Sequence, residues 1–151
     1  MSNKDQQAGT DMARRVINTC LAGRVRQISR AVTARYDAEL RECGITANQL
    51  TILAAVAMLE MTTQRDLLPY LLMEASTLSR NIKLMVENRW LATIPGEDRR
   101  SHFLVVSPAG YRVLAQVKEP WERAHAWATK ALGDADAVRE MAYRLNPHIP
   151  R

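Results

Sequence analysis

Two cysteines, Cys20 and Cys43, are all the thiol chemistry that this sequence of 151 residues carries. So few, in unlike surroundings, make neither a disulfide framework nor a zinc pattern. Such thiols are ordinarily packed as small apolar groups. The six glycines are scattered along the chain, so no glycine-rich loop can cradle a phosphate. No Gly-x-Ser-x-Gly elbow occurs. His102, His125 and His148 lie far apart, and none pairs with another one helical turn away, which leaves no helix-borne metal pair. The expectation is therefore a protein that is not an enzyme, with no catalytic residue, metal or cofactor. No run of about 18 apolar residues exists, which excludes a transmembrane helix. The polar start MSNKDQQAGTDM lacks an apolar signal core, so the expected compartment is the cytoplasm, with no membrane partner.

What is present suits one folded domain. The chain is 47% hydrophobic and 25% charged, close to an ordinary soluble protein. Its length fits a single domain over residues 1–151. Lys and Arg number 21 against 16 Asp and Glu, a net charge of +5, which suits an anionic partner such as nucleic acid.

Residues 1–10 read as a loose tail. From about Asp11 to Glu42, Leu21, Val25, Ile28, Val32, Tyr36 and Leu40 recur at helical spacing, and Gly44 ends the run. A helix this long outruns what one small core covers, so part of it is expected to pack on another chain. Thr46-Ala47-Asn48-Gln49 reads as a capping box before the apolar stripe Leu50, Leu53, Val56 and Ala57. Thr63 caps a short helix through Leu71, in which Pro69 predicts a kink or an early end. A fourth helix spans about Ala75 to Arg89. Leu78, Ile82, Met85 and Val86 point one way, and Ser76, Arg80, Lys83 and Glu87 the other. Leu84 falls off the apolar stripe.

Two strand-like runs follow, Leu91–Ile94 and Ser101–Val106, joined by the charged turn Pro95 to Arg100 in a β-hairpin. Ser107-Pro108 opens a further helix whose inner side is read as Leu114, Val117, Trp121, Ala124 and Ala128, with a bend at Pro120. A last short stripe runs through Val138, Met141 and Leu145. The class is mainly α, with six helices and one hairpin.

The segment from Thr62 to Val106 describes a winged helix-turn-helix, whose second helix lies in a DNA major groove. Ser76, Thr77, Ser79, Arg80 and Lys83 supply the short polar and basic side chains such a groove needs. Arg80 can bond guanine O6 and N7, or a phosphate. Arg99 and Arg100 at the hairpin tip suit a narrow, electronegative minor groove. Taken singly, either group reads as a solvated face or turn. Helix and basic hairpin together point to DNA.

At these residues the sequence resembles the MarR family of bacterial transcriptional regulators. The resemblance rests on Arg35-Tyr36-Asp37, on Gly44 to Gln49, on Ser76-Thr77-Leu78-Ser79-Arg80-Asn81-Ile82-Lys83, on Pro95 to Ser101 and on Ser107-Pro108-Ala109-Gly110. It implies a two-fold dimer in which residues 11–44 and 108–146 supply dimerisation helices and residues 46–106 form the winged helix-turn-helix lobe. It implies double-stranded DNA with a pseudo-palindromic operator as partner. Within the hairpin it implies that Asp98 orients Arg100 into the minor groove while Arg99 meets phosphate. Most such proteins are repressors released by a small aromatic or phenolic anion, bound between the dimer helices and the lobe. Two positions depart from the family pattern. Glycine usually stands where Leu72 is, and Pro69 is unusual in its helix; both bear on the geometry of Tyr70 to Glu74.

For an effector carboxylate the candidates are Arg24, Arg26, Arg30 and Arg35, with Tyr36 and Trp90 as aromatic lining. For each, a dimer salt bridge, a solvated arginine or ordinary core is the plainer role. The rival switch is redox, since some relatives sense peroxides through a cysteine early in the first helix, where Cys20 lies. Arg24, one turn on, could lower its pKa. Peroxide-sensing relatives typically carry tyrosine where Ala47 stands. Two other readings stand beside a ligand-released repressor: a non-specific architectural DNA binder, and a helical interaction dimer that has lost DNA binding.

Overall fold

The computed structural model describes residues 2–96 and 102–148. In chain order the elements are α1 (Asn3–Thr19), α2 (Leu21–Leu40), a 3-10 turn (Arg41–Cys43), α3 (Ala47–Leu59), α4 (Gln64–Leu71) and α5 (Ala75–Glu87). The strands β1 (Leu91–Pro95) and β2 (His102–Val106) follow, then α6 (Pro108–Gln116), α7 (Lys118–Leu132) and α8 (Ala135–Leu145). The chain divides into two compact units, residues 1–35 and 36–151, with the boundary inside α2.

In the first unit, the expected loose tail is helical. Ser2 and Asp5 form a reciprocal capping box that starts α1, which satisfies amides that a helix start leaves open. The expected single long helix is also interrupted. Cys20 takes an extended ψ of 107°; its N–H still donates to Val16, and its carbonyl accepts from Arg24, so one residue closes α1 and opens α2. Met12, Val16, Leu21, Val25 and Ile28 are all exposed. Their helical spacing continues across the break, which is why periodicity does not register it.

In the second unit, α3 is the central helix. The Asp37 carboxylate accepts from the Ala47 amide at 2.7 Å, and Thr46 and Gln49 cap each other as the sequence predicts. Ile52, Leu53 and Val56 have no exposed surface, and Leu50 is buried beside them. A helix apolar on several sides belongs inside, and α4, α5, α6 and β2 pack around this one. Leu40, Leu67, Leu78 and Met85 join the core from α2, α4 and α5. Each such side chain stabilises the fold by about 1.5–3 kcal/mol through burial alone.

Thr63 and Asp66 cap α4 reciprocally. The helix runs two residues past Pro69, and Leu72 ends it in the left-handed conformation, with φ 46° and ψ 36°. Asn146, only 3% exposed, covers that end by donating to the carbonyls of Pro69 and Tyr70.

The hairpin is antiparallel, in register from Leu91 opposite Val106 to Pro95 opposite His102. Thr62 adds a bridge to Leu104 with two backbone bonds, tying the strands to the segment before α4. At the far end of α5, Arg89 is left-handed and the Trp90 amide reaches back to the Met85 carbonyl. Ser107 donates its hydroxyl to the Arg89 carbonyl and accepts from the Gly110 amide, so one serine closes α5 and opens α6. Gly110 is required by close approach: a Cβ there would lie 2.2 Å from the Trp90 carbonyl oxygen.

The helix after Ser107 is two helices, broken at Val117 rather than bent at Pro120. Pro120 falls in the first turn of α7, where a missing N–H costs nothing. Val113, Val117, Ala124 and Ala128 are buried there. Trp121, expected inside, is 40% exposed and stacks on His125, with ring centroids 4.6 Å apart. Among the described residues, no single helix is long and apolar enough to cross a membrane.

Candidate nucleic-acid interface

α5 owes its orientation to its own sequence. Leu78, Ile82 and Met85 are buried, and the opposite side of the helix faces solvent. That outer side carries Ser76, Arg80, Lys83 and Glu87, with Thr77 half-buried at its edge and Ser79 exposed on the flank. The structure thus brings the helix-borne residues expected to meet DNA onto one outward surface.

The Arg80 guanidinium lies along the helix, donating to the Ser76 carbonyl at 3.3 Å and to the Thr77 hydroxyl at 3.5 Å. Both contacts are exposed and long, so little holds the side chain back from a better acceptor. Lys83 faces Glu87 at 4.0 Å, a surface pair of small worth. Glu74 occupies the N-cap of α5 without a side-chain bond to the helix.

A second group, which sequence reasoning passed over, lies between the start of α4, the buried side of α5 and the hairpin. Thr63, Gln64 and Arg65 from the start of α4 line a cavity of about 560 Å³ with Ile82, Thr93, His102 and Leu104. The signal was available: Arg65 follows a helix cap, and His102 opens the returning strand. Asp98, Arg99 and Arg100, assigned to the minor groove, lie outside the described residues.

The effector candidates fall in several places. Arg24, Arg26 and Arg30 are exposed on α2. Arg24 donates to the Ile17 carbonyl and to Gln27. With Cys20, Val16, Ile17, Gly23 and Gln27, Arg24 and Arg26 line a cavity of about 230 Å³. Arg35 is half-buried. Tyr36 is half-buried against the core of the second unit, with its hydroxyl 3.2 Å from His125 Nδ1; burial raises its pKa above the ordinary tyrosine value. Trp90 packs on the same core, and its backbone carbonyl accepts from Ser107. Cys43 is half-buried, its sulfur 3.9 Å from the Gln116 carbonyl. An apolar cavity of about 340 Å³ that no reading anticipated lies between α3 and α4, lined by Thr51, Met58, Tyr70 and Leu71 among others.

Residues 44–101 match the pattern that defines the MarR family. Over 91 residues the chain is 29% identical to an uncharacterized HTH-type transcriptional regulator, YwoH, of Bacillus subtilis; the match spans 60% of this chain and 66% of that protein, just short of two thirds. The structure of the transcriptional regulator MosR from M. tuberculosis in complex with DNA is similar, with a TM-score of 0.76 and 26% identity over 85% of this chain and 95% of that one. A cysteine-to-serine mutant of MarR from E. coli, complexed with operator DNA, shares the fold at a TM-score of 0.74 and 21% identity, over 90% of this chain and 98% of that one.

Proposed function

We propose that this chain is a winged helix-turn-helix transcriptional regulator of the MarR family, which it resembles over residues 44–101, and that it acts as a two-fold dimer on a pseudo-palindromic DNA operator. One observation carries the reading. α5, which packs on β1, buries Leu78, Ile82 and Met85 and turns Ser76, Arg80 and Lys83 outward. A helix so oriented can enter a major groove N-terminus first, as recognition helices do. Ser76, Thr77 and Ser79 suit phosphates and base edges, Lys83 suits phosphate, and Arg80 suits guanine. Asp98, Arg99 and Arg100 would carry the minor-groove contact.

Dimerisation through residues 11–44 and 108–146 is supported by the apolar side chains these segments leave exposed. Met12, Val16, Ile17, Leu21, Val25 and Ile28 are exposed in the first unit, and Met141 and Leu145 on α8. Exposed apolar surface of that extent marks an interaction site.

The regulator is a repressor released by a small aromatic or phenolic anion. Release by about 100-fold needs a coupling of roughly 2.7 kcal/mol between effector and DNA sites, within the usual allosteric range. Arg24, Arg26, Arg30 and Arg35 are the candidates to hold the carboxylate, with Tyr36 and Trp90 as lining. The second reading is a redox switch at Cys20. It is favoured by one observation: Cys20 lines a small cavity together with Arg24 and Arg26.

The test is a titration of the purified protein against duplex DNA at several salt concentrations. With about 6–10 phosphate contacts per dimer, the logarithm of the affinity should fall with the logarithm of salt at a slope near −5 to −9. Absence of DNA binding at low salt would contradict the reading.

A further inference from the structure

Leu84 has no role in the core. It is 48% exposed, and among the residues of α5 it is the one large apolar side chain turned to solvent. Arg80 stands four residues before it, so at about 100° per residue the two directions differ by only about 40°. Thr77 lies at about 60° and Ser76 at about −40° on the same scale, which sets Leu84 between flanking groups assigned to DNA. An isolated exposed leucine elsewhere would need no explanation. Here it sits beside Arg80, on the Thr77 side of a face that is otherwise polar and charged, on a helix whose other side is fixed in the core.

We propose that Leu84 is a specificity-determining residue that reads the 5-methyl group of a thymine in the major groove; this rests on the reading of α5 as the recognition helix. The thymine methyl is the one apolar group that a base edge presents in that groove, and apolar side chains recognise it by contact. Leu84 lies about 6 Å further along the helix axis than Arg80. Base pairs are stacked about 3.4 Å apart, so the thymine falls within about two base pairs of the one that Arg80 reads. The polar groups of the face anchor to phosphates and purines, and Leu84 rejects a cytosine or an unmethylated pyrimidine at one position.

The experiment begins with selection of duplexes from a randomised pool by the full-length protein. Each thymine of the selected sequence is then replaced, in both half-sites together, by deoxyuridine, which removes only the methyl group. Affinities are measured by fluorescence anisotropy at fixed salt for the wild type and for Leu84→Ala. Loss of one buried methyl contact, at about 0.8 kcal/mol, is about fourfold per half-site. The wild type should therefore lose about 15-fold at one thymine position, where Leu84→Ala should lose nothing, while both respond alike everywhere else. A circular dichroism melt of Leu84→Ala that overlays the wild type shows that the exposed side chain was not holding the fold. Specific binding by the wild type, with the same methyl dependence in both proteins at every thymine, overturns the assignment of Leu84 and leaves the recognition helix standing. A pool that yields no preferred sequence overturns both.

Discussion

The Asn146 side-chain amide donates to the Pro69 carbonyl at 2.8 Å and to the Tyr70 carbonyl at 3.2 Å. It thereby joins the segment after α8 to the end of α4, the helix that precedes α5. A helix end leaves carbonyls without partners, and here the side chain is buried, so water does not readily replace it. Asn146→Ala should cost about 1–3 kcal/mol, the penalty of leaving buried acceptors unsatisfied. Asn146→Asp should cost at least as much, because a carboxylate cannot donate. Urea denaturation at fixed protein concentration measures both; an Asp variant as stable as the wild type would show that these bonds do not matter.

Gly110 approaches the Trp90 carbonyl so closely that a methyl group would lie 2.2 Å from its oxygen and 2.8 Å from Val106 Cγ1. Both neighbours are held, one as backbone and one in the hairpin. Gly110→Ala should therefore push α6 off the strands at a cost near 3 kcal/mol, the upper range for overpacking. A thermal melt would check it, and an unchanged melting temperature would contradict the packing described.

Leu72 is left-handed at φ 46° and 69% exposed, so its side chain contributes little packing in return for its strain. A residue with a Cβ loses about 1–2 kcal/mol in that conformation. Leu72→Gly should stabilise the protein by about 0.5–1 kcal/mol once the greater freedom of glycine in the unfolded chain is counted. A higher urea midpoint with an unchanged slope is the expected readout.

Burial raises the Tyr36 pKa, which favours the neutral phenol in the folded state. The folded protein then holds its proton where the unfolded chain has begun to release it, at about pH 10. The stability this provides is complete below that pH and is lost as pH rises through the folded value. Tyr36→Phe should flatten the alkaline decline in stability. At neutral pH it should cost about 1 kcal/mol for the bond to His125. Urea titrations from pH 8 to 11 separate the two effects.

Much of the lobe is legible from residues whose chemistry is local. Thr46 with Gln49, Thr63 before α4, and Ser107 before Pro108 mark helix starts in the sequence and cap them in the structure. The buried face of α5 follows from a spacing that any helix would impose. The interruption at Cys20 is not legible, because no proline or glycine marks it and the apolar spacing runs on. The start of α1 was legible in Ser2 and Asp5, a capping pair hidden in a polar stretch that resembles a tail. Trp121 misleads because its spacing fits the inner stripe, while a ring with His125 to stack on can remain at the surface. The apolar cavity between α3 and α4 joins residues from two helices, which spacing along one helix cannot reveal.

The central claim is sequence-specific recognition through α5, and Arg80 tests it most directly. Anisotropy titrations at fixed physiological salt should compare the DNA upstream of the gene with a scrambled duplex, for the wild type and Arg80→Ala. The wild type should prefer its own DNA by about 10³ or more. Arg80→Ala should lose about 1–3 kcal/mol per guanine contact on that DNA while its weak binding to the scrambled duplex changes far less. Equal affinity of the wild type for both duplexes, or an Arg80→Ala variant that discriminates as well as the wild type, would contradict the account.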